Sequence, residues 1–190
     1  MKIPLNIPNI LSLYRIFAFP VLIFALWMRY DHLFVWLICI NLITDILDGW
    51  IARRFNMVTE AGAKLDSIAD IGTYIAAIAG VLLLKKTEIA PHLISFYTFI
   101  GLFVFSQLLS VVKFGRFPSL HLYSWKIGGY IQGIFFFVLF VFGFYKGFYY
   151  FMVTWGILAF LEHIIIQLLI PEMRSNAKGL YWVLKDWGRG

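Results

Sequence analysis

The sequence predicts an all-α, polytopic membrane protein with six transmembrane helices in one bundle, and three observations carry that prediction. Of 190 residues, 62% are hydrophobic and only 14% are charged, too few charges to cover a water-soluble globule of this length. Mean hydropathy is correspondingly high, +0.84. The apolar runs are about 20 residues long, the length that crosses a hydrocarbon core about 30 Å thick. Lipid admits isolated runs of this kind only as helices, because a helix satisfies its own backbone hydrogen bonds.

Taken in order, the spans are expected near residues 8–29, 32–53, 62–84, 92–113, 125–145 and 147–170, followed by a tail over 172–190. The first run follows Lys2 and has the look of a secretory leader. It contains Arg15, however, and ends in Trp27, Met28 and Arg29 without a small-residue cleavage site, so it reads as a retained span. The second and third spans hold clustered acids. A basic stretch with Lys113, Arg116, His121 and Lys126 separates the fourth from the fifth, and Glu162 and His163 sit mid-span in the sixth, where a hydrogen-bonded helix contact is expected ahead of catalysis. The tail, with Trp182 and Trp187 among basic residues, suits an amphipathic surface helix or no fixed structure. Connections are short and no repeat is visible, so one domain over 1–190 is expected. Cys39 is the single cysteine and lies within a span, which leaves no disulfide framework.

Six spans place both termini on one side. Twelve Lys and Arg residues fall on that side, against four on the other: Arg29, Lys85, Lys86 and Lys146. The bias puts the termini in the cytosol. It also explains the net charge of +6 by topology, with no nucleic-acid partner.

Asp45, Asp48, Asp66 and Asp70 lie in or at the edge of the second and third spans. A lone aspartate near the bilayer centre costs about 3 kcal/mol, so four together require a water-filled cavity, a cation, or both. On a helix, Asp45, Asp48, Gly49 and Ala52 share one arc of about 100°, and Asp66 and Asp70 are one turn apart. Uncharged lengths give the depth. Thirteen residues separate Arg15 from Arg29, thirteen Asp31 from Asp45, fourteen Asp70 from Lys85 and fifteen Lys146 from Glu162. At 1.5 Å per residue these runs cover about 20–23 Å of a core roughly 30 Å thick, so Arg15, Asp45, Asp70 and Glu162 share one level. A polar cavity in the inner leaflet, open to the cytosol, follows.

Four carboxylates carry a formal charge of −4, which two hard divalent ions would balance. Oxygen-only ligands favour Mg²⁺ or Mn²⁺ over zinc. A two-metal centre suits phosphoryl chemistry, and Gly49 and Gly62 leave room for an anion near the backbone. The residues by themselves also admit a divalent-cation transporter. An intramembrane aspartyl protease would need two aspartates and leave the second pair unexplained.

Written out, the stretch is Asp45-x-x-Asp48-Gly49-x-x-Ala52-Arg53, eight residues, Gly62-x-x-x-Asp66-x-x-x-Asp70. This resembles the signature of the CDP-alcohol phosphotransferases, integral membrane enzymes of phospholipid synthesis. The resemblance implies a homodimer in a bacterial inner or plasma membrane, with two Mg²⁺ or Mn²⁺ ions on Asp45, Asp48, Asp66 and Asp70. It also implies a nucleotide near Gly49, Ala52, Arg53 and Gly62, and Asp70 as the base that deprotonates the acceptor. The reaction so implied moves the phosphatidyl group of CDP-diacylglycerol to an alcohol and releases CMP.

The opening Asn6-Ile7-Pro8-Asn9-Ile10-Leu11-Ser12-Leu13-Tyr14-Arg15 resembles phosphatidylglycerophosphate synthases. That favours glycerol 3-phosphate, with Lys113, Arg116 and Lys126 holding its phosphate; as ordinary positive-inside residues they would need no ligand. Leu65-Asp66-Ser67-Ile68-Ala69-Asp70 is similar to phosphatidylserine synthases too, and Ile71 follows where the glycerophosphate enzymes commonly have lysine. Serine and inositol phosphate therefore stay open. Gly72, Ala76 and Gly80 recur every fourth residue and point to close helix packing, as do Gly129 and Gly133.

Overall fold

The computed structural model describes residues 6–115, 120, 122–172 and 177–187, and among these it contains helices and no strand. Eight helices follow one another: α1 (Ile7–Trp27), α2 (Asp31–Arg54), α3 (Glu60–Leu84), α4 (Lys86–Ile89), α5 (Leu93–Phe114), α6 (Tyr123–Val141), α7 (Lys146–Leu169) and α8 (Leu180–Trp187). Six stretches are long and apolar enough to cross a membrane. They coincide with the six expected spans to within a few residues at most ends.

Local chemistry sets the ends. Asn6 caps α1, its side chain accepting from the N–H of Asn9 at 3.0 Å, and Pro8 sits in the first turn, where no N–H is missed. Asp31 opens α2 and Arg53 and Arg54 close it, each opposing the helix dipole. Thr59 caps α3 through the N–H of Gly62 at 3.0 Å. The fourth span begins earlier than the apolar run suggests, at Lys86: Pro91 interrupts it in a 3-10 turn, Ala90–His92, before α5 resumes. The fifth span is shorter than 125–145. Gly143 takes φ +105 and its N–H reaches the Val138 carbonyl at 3.0 Å, so α6 stops at Val141 although the chain stays apolar through Tyr145.

The chain divides into two compact units: residues 6–90 with Phe140–Phe142, and the remaining described residues from Pro91 onward. In the first unit α1 lies along both α2 and α3, which also touch each other. Small residues let them close up. Gly72 faces Phe19 of α1, Ala76 is wholly buried, and Gly80 faces Phe34, with a Cβ at Gly80 falling 2.5 Å from that ring. The packing stripe of α3 is as expected. In the second unit α5 packs on α7 and α8 returns against α7. Among the described residues nothing lies within 4 Å of a Cβ at Gly129 or Gly133 of α6, contrary to the packing expected there. Among the described residues of the tail, Leu180–Trp187 is helical, and Leu120, Leu122, Ile166 and Ile170 form a buried apolar cluster under Leu180 and Val183.

Candidate active site

Four carboxylates from two helices converge on one guanidinium from a third. Arg15 of α1 has a fully buried side chain, and each of its terminal nitrogens binds two aspartates. Nη1 donates to Asp45 at 2.5 Å and Asp70 at 2.7 Å. Nη2 donates to Asp48 at 2.5 Å and Asp66 at 2.6 Å. Helical spacing makes this possible: Asp45 and Asp48 share a stripe of α2, Asp66 and Asp70 a stripe of α3, and α1 runs along both. The Asp48 side chain is 4% exposed, whereas those of Asp45, Asp66 and Asp70 are 44%, 43% and 39% exposed. One wall is closed and the other three carboxylates face outward.

The first turns of α1 supply the closed wall. Ser12 shares its hydroxyl proton between Asp48 and the Pro8 carbonyl, both at 3.2 Å. Asn9 is buried beside Gly62, where a Cβ would run into the Asn9 Oδ1 and lie 2.9 Å from the Thr59 Oγ1. Asn6 donates from its side chain to the Met57 carbonyl at 3.2 Å, tying the loop before α3 to the start of α1. Deeper, Asn41 of α2 and Thr73 of α3 are both buried and stand 3.5 Å apart.

The donor set fits hard divalent cations. Counted formally, four carboxylates against the one guanidinium bonded to them leave an excess of three negative charges, with Arg53 the next cation near Asp66, at a depth where lone charge is costly. Oxygens of Asp45, Asp48 and Asp66 lie within 4.8 Å of one another, and every donor is a carboxylate oxygen, the ligand type such ions prefer.

The structure brings most of the expected residues together. All four aspartates meet. Arg53 folds over Gly49, its Nη1 standing 3.3 Å from where a Cβ would be, and Ala52 lies half-buried one position before it. Gly62 admits Asn9, a packing role that the motif did not suggest. In the second unit, Lys113 donates to the carbonyls of Gln167 at 2.6 Å and Leu168 at 3.1 Å and so caps the end of α7. Lys126 is exposed, 5.9 Å over the Tyr123 ring. Arg116 and His121 lie outside the described residues. Glu162 accepts from the Ser124 hydroxyl and from the N–H of Leu180 at 2.8 Å, and buried His163 meets the Trp125 ring edge-on at 4.6 Å and the Gln167 amide at 3.1 Å. Both residues thus make hydrogen-bonded or ring contacts between helices.

Arg15, Ser12 and Asn9 are the site residues that the sequence reading did not assign. Two signals pointed to them. Arg15 shares the expected depth of Asp45 and Asp70, and Asn9, Ser12 and Arg15 recur every third residue, within an arc of about 120° on α1.

Membrane-spanning helices that join two pairs of aspartates at one point define a polytopic membrane protein with an acidic, metal-suited centre. Residues 5–165 match the family model of the CDP-alcohol phosphatidyltransferases, and the chain belongs to that family. Among curated proteins it is similar to the CDP-diacylglycerol–glycerol-3-phosphate 3-phosphatidyltransferase of Rickettsia bellii, 40% identical over 95 residues, which are 47% of this chain and 50% of that protein. The protein of the same name from Escherichia coli K12 is 42% identical over 80 residues, 40% of this chain and 43% of that protein. The chain thus spans about half the length of the curated relatives it matches. No solved structure matches it.

Proposed function

We propose that this protein transfers the phosphatidyl group of CDP-diacylglycerol to glycerol 3-phosphate and releases CMP. The observation that carries the reading is the convergence of Asp45, Asp48, Asp66 and Asp70 on one point. The names of the relatives and the opening of α1 support the acceptor. In this reading the six spans form one domain, the protein is a homodimer, and the site and both termini face the cytosol, as the basic residues argue. Acyl chains then stay in lipid while the nucleotide meets water.

The acceptor's hydroxyl oxygen attacks the phosphorus that bears diacylglycerol. The bond from that phosphorus to the bridging oxygen breaks, CMP leaves with the electron pair, and the hydroxyl proton passes to a carboxylate oxygen of Asp70. Asp45, Asp48, Asp66 and Asp70 would hold two Mg²⁺ or Mn²⁺ ions, which supply charge stabilisation to the pyrophosphate oxygens. Arg53, exposed beside Gly49, and Ala52 and Gly62 border the nucleotide. Lys113, Arg116 and Lys126 take the acceptor's phosphate; for this Lys113 must release the α7 carbonyls.

Purified protein in lipid nanodiscs, given CDP-diacylglycerol, Mg²⁺ or Mn²⁺ and one acceptor at a time, tests this. Glycerol 3-phosphate should support CMP release and a chelator should stop it. Asp70→Asn should lower the rate by about 10²–10⁴-fold, the usual worth of a positioned base; undiminished release removes Asp70 from that role. Faster turnover of serine or inositol phosphate would reassign the acceptor. No turnover with any alcohol, together with Mn²⁺ uptake into proteoliposomes, would favour the transporter instead.

A further inference from the structure

Arg15 occupies the place where the four carboxylates meet. A guanidinium has five N–H groups. The four on its terminal nitrogens are spent one per aspartate, and the fifth, on Nε, is buried without a partner. Among the described residues this arrangement serves the aspartates alone: the arginine has no other polar contact there, and four acids on two helices are gathered by a single cation. Yet by formal count the four carboxylates still outnumber the guanidinium by three charges. A divalent ion drawn to that charge meets two obstacles, because the inward oxygens are already engaged and a fixed positive charge stands among them.

We propose that Arg15 is the resident counter-cation of this centre. It gathers the four carboxylates in the metal-free protein and is displaced from them as divalent ions bind, so that arginine and metal compete for the same oxygens. The inference rests on the metal-binding part of the reading above. It makes Arg15 a positioning residue, acting through the aspartates. Competition keeps the acids from repelling α2 and α3 apart before loading, and it weakens the metal's hold, so the ions remain exchangeable. If the ions instead used only the outward oxygens, Arg15 would stay in place and help binding by fixing the ligands.

The two arrangements predict opposite signs. Mn²⁺ binding to the purified full chain is titrated by isothermal calorimetry or by the loss of free-ion EPR signal, in wild type, Arg15→Gln and Arg15→Lys. Under competition, Arg15→Gln binds Mn²⁺ at least tenfold more tightly than wild type, while its metal-free form melts at a lower temperature and regains the difference on adding Mn²⁺. Arg15→Lys keeps the charge but cannot reach all four acids; its affinity rises by a smaller factor. If Arg15→Gln gives no monodisperse protein, the sign of the Arg15→Lys change decides. Affinity unchanged or weakened in the folded variant overturns the proposal and leaves the metal site standing. Wild type that binds no Mn²⁺, with Asp66→Asn behaving identically, overturns the metal site and this proposal with it.

Discussion

Asp48 differs from its three partners because it is sealed behind α1, with Ser12 as well as Arg15 on the same oxygen. Ser12→Ala should remove one buried hydrogen bond at a cost of about 1 kcal/mol, read as a lower thermal midpoint of the metal-free protein in detergent. Gly62 is a more demanding position. A methyl group there meets Asn9 and Thr59, so Gly62→Ala has to push the first turn of α3 off α1. That should cost about 1–3 kcal/mol and weaken Mn²⁺ binding along with stability. Gly129→Ala and Gly133→Ala make the control pair: nothing lies within 4 Å of either Cβ, and alanine favours a helix by up to about 1 kcal/mol, so the midpoint should hold or rise. Equal losses at Gly62 and Gly129 would show that steric fit within the chain is not what separates them.

The helices were legible because lipid leaves little choice. About 20 apolar residues cross the core, and six such runs could be counted directly. The end of α6 was not legible, because Phe142 through Tyr145 are as apolar as the span and only the φ of Gly143 stops it. The site was legible in part for a related reason. Acids in a span are conspicuous, and their spacing placed them on two stripes; Arg15 could be placed at the same depth, but depth carries no azimuth, and only the packing of α1 on α2 and α3 turns its side chain onto the acids. The tail was legible only as an amphipathic helix or a segment without fixed structure, and its anchoring was not legible at all. Glu162 holds the first N–H of α8 and the Ser124 hydroxyl, a charge-assisted cap at the positive end of a helix. Glu162→Ala should loosen α8 by about 1–2 kcal/mol, and limited proteolysis should cut the chain between residues 170 and 180 sooner than in wild type. An unchanged digestion pattern would mean that the apolar cluster under Leu180 and Val183 holds the helix unaided.

At the scale of the molecule, the four aspartates, Arg15 and Arg53 all belong to α1, α2 and α3 of the first unit. The second unit holds Lys113 and Lys126, proposed above for the acceptor's phosphate, together with aromatic and polar packing such as Trp125 against His163 and Phe160. Orientation is a property of the whole chain, and the proposed one, with the site facing the cytosol, rests on its basic residues. A single cysteine at Asn56, in a Cys39→Ser background, should react with a membrane-impermeant maleimide only when the cytosolic face is open, as in inverted vesicles. A cysteine at Tyr145 should react from the opposite face. Reversed labelling would turn the site outward and overturn the proposed orientation.

The order in which the chain is made adds a demand of its own. Arg15 leaves the ribosome 30 residues ahead of Asp45 and 55 ahead of Asp70, so α1 reaches the translocon carrying a charge whose partners do not yet exist. Such a residue makes insertion of an isolated helix less favourable by about 2.5–3.5 kcal/mol. During synthesis α1 therefore has reason to linger at the lateral gate until two further segments emerge, and the first three helices should enter the bilayer as a group.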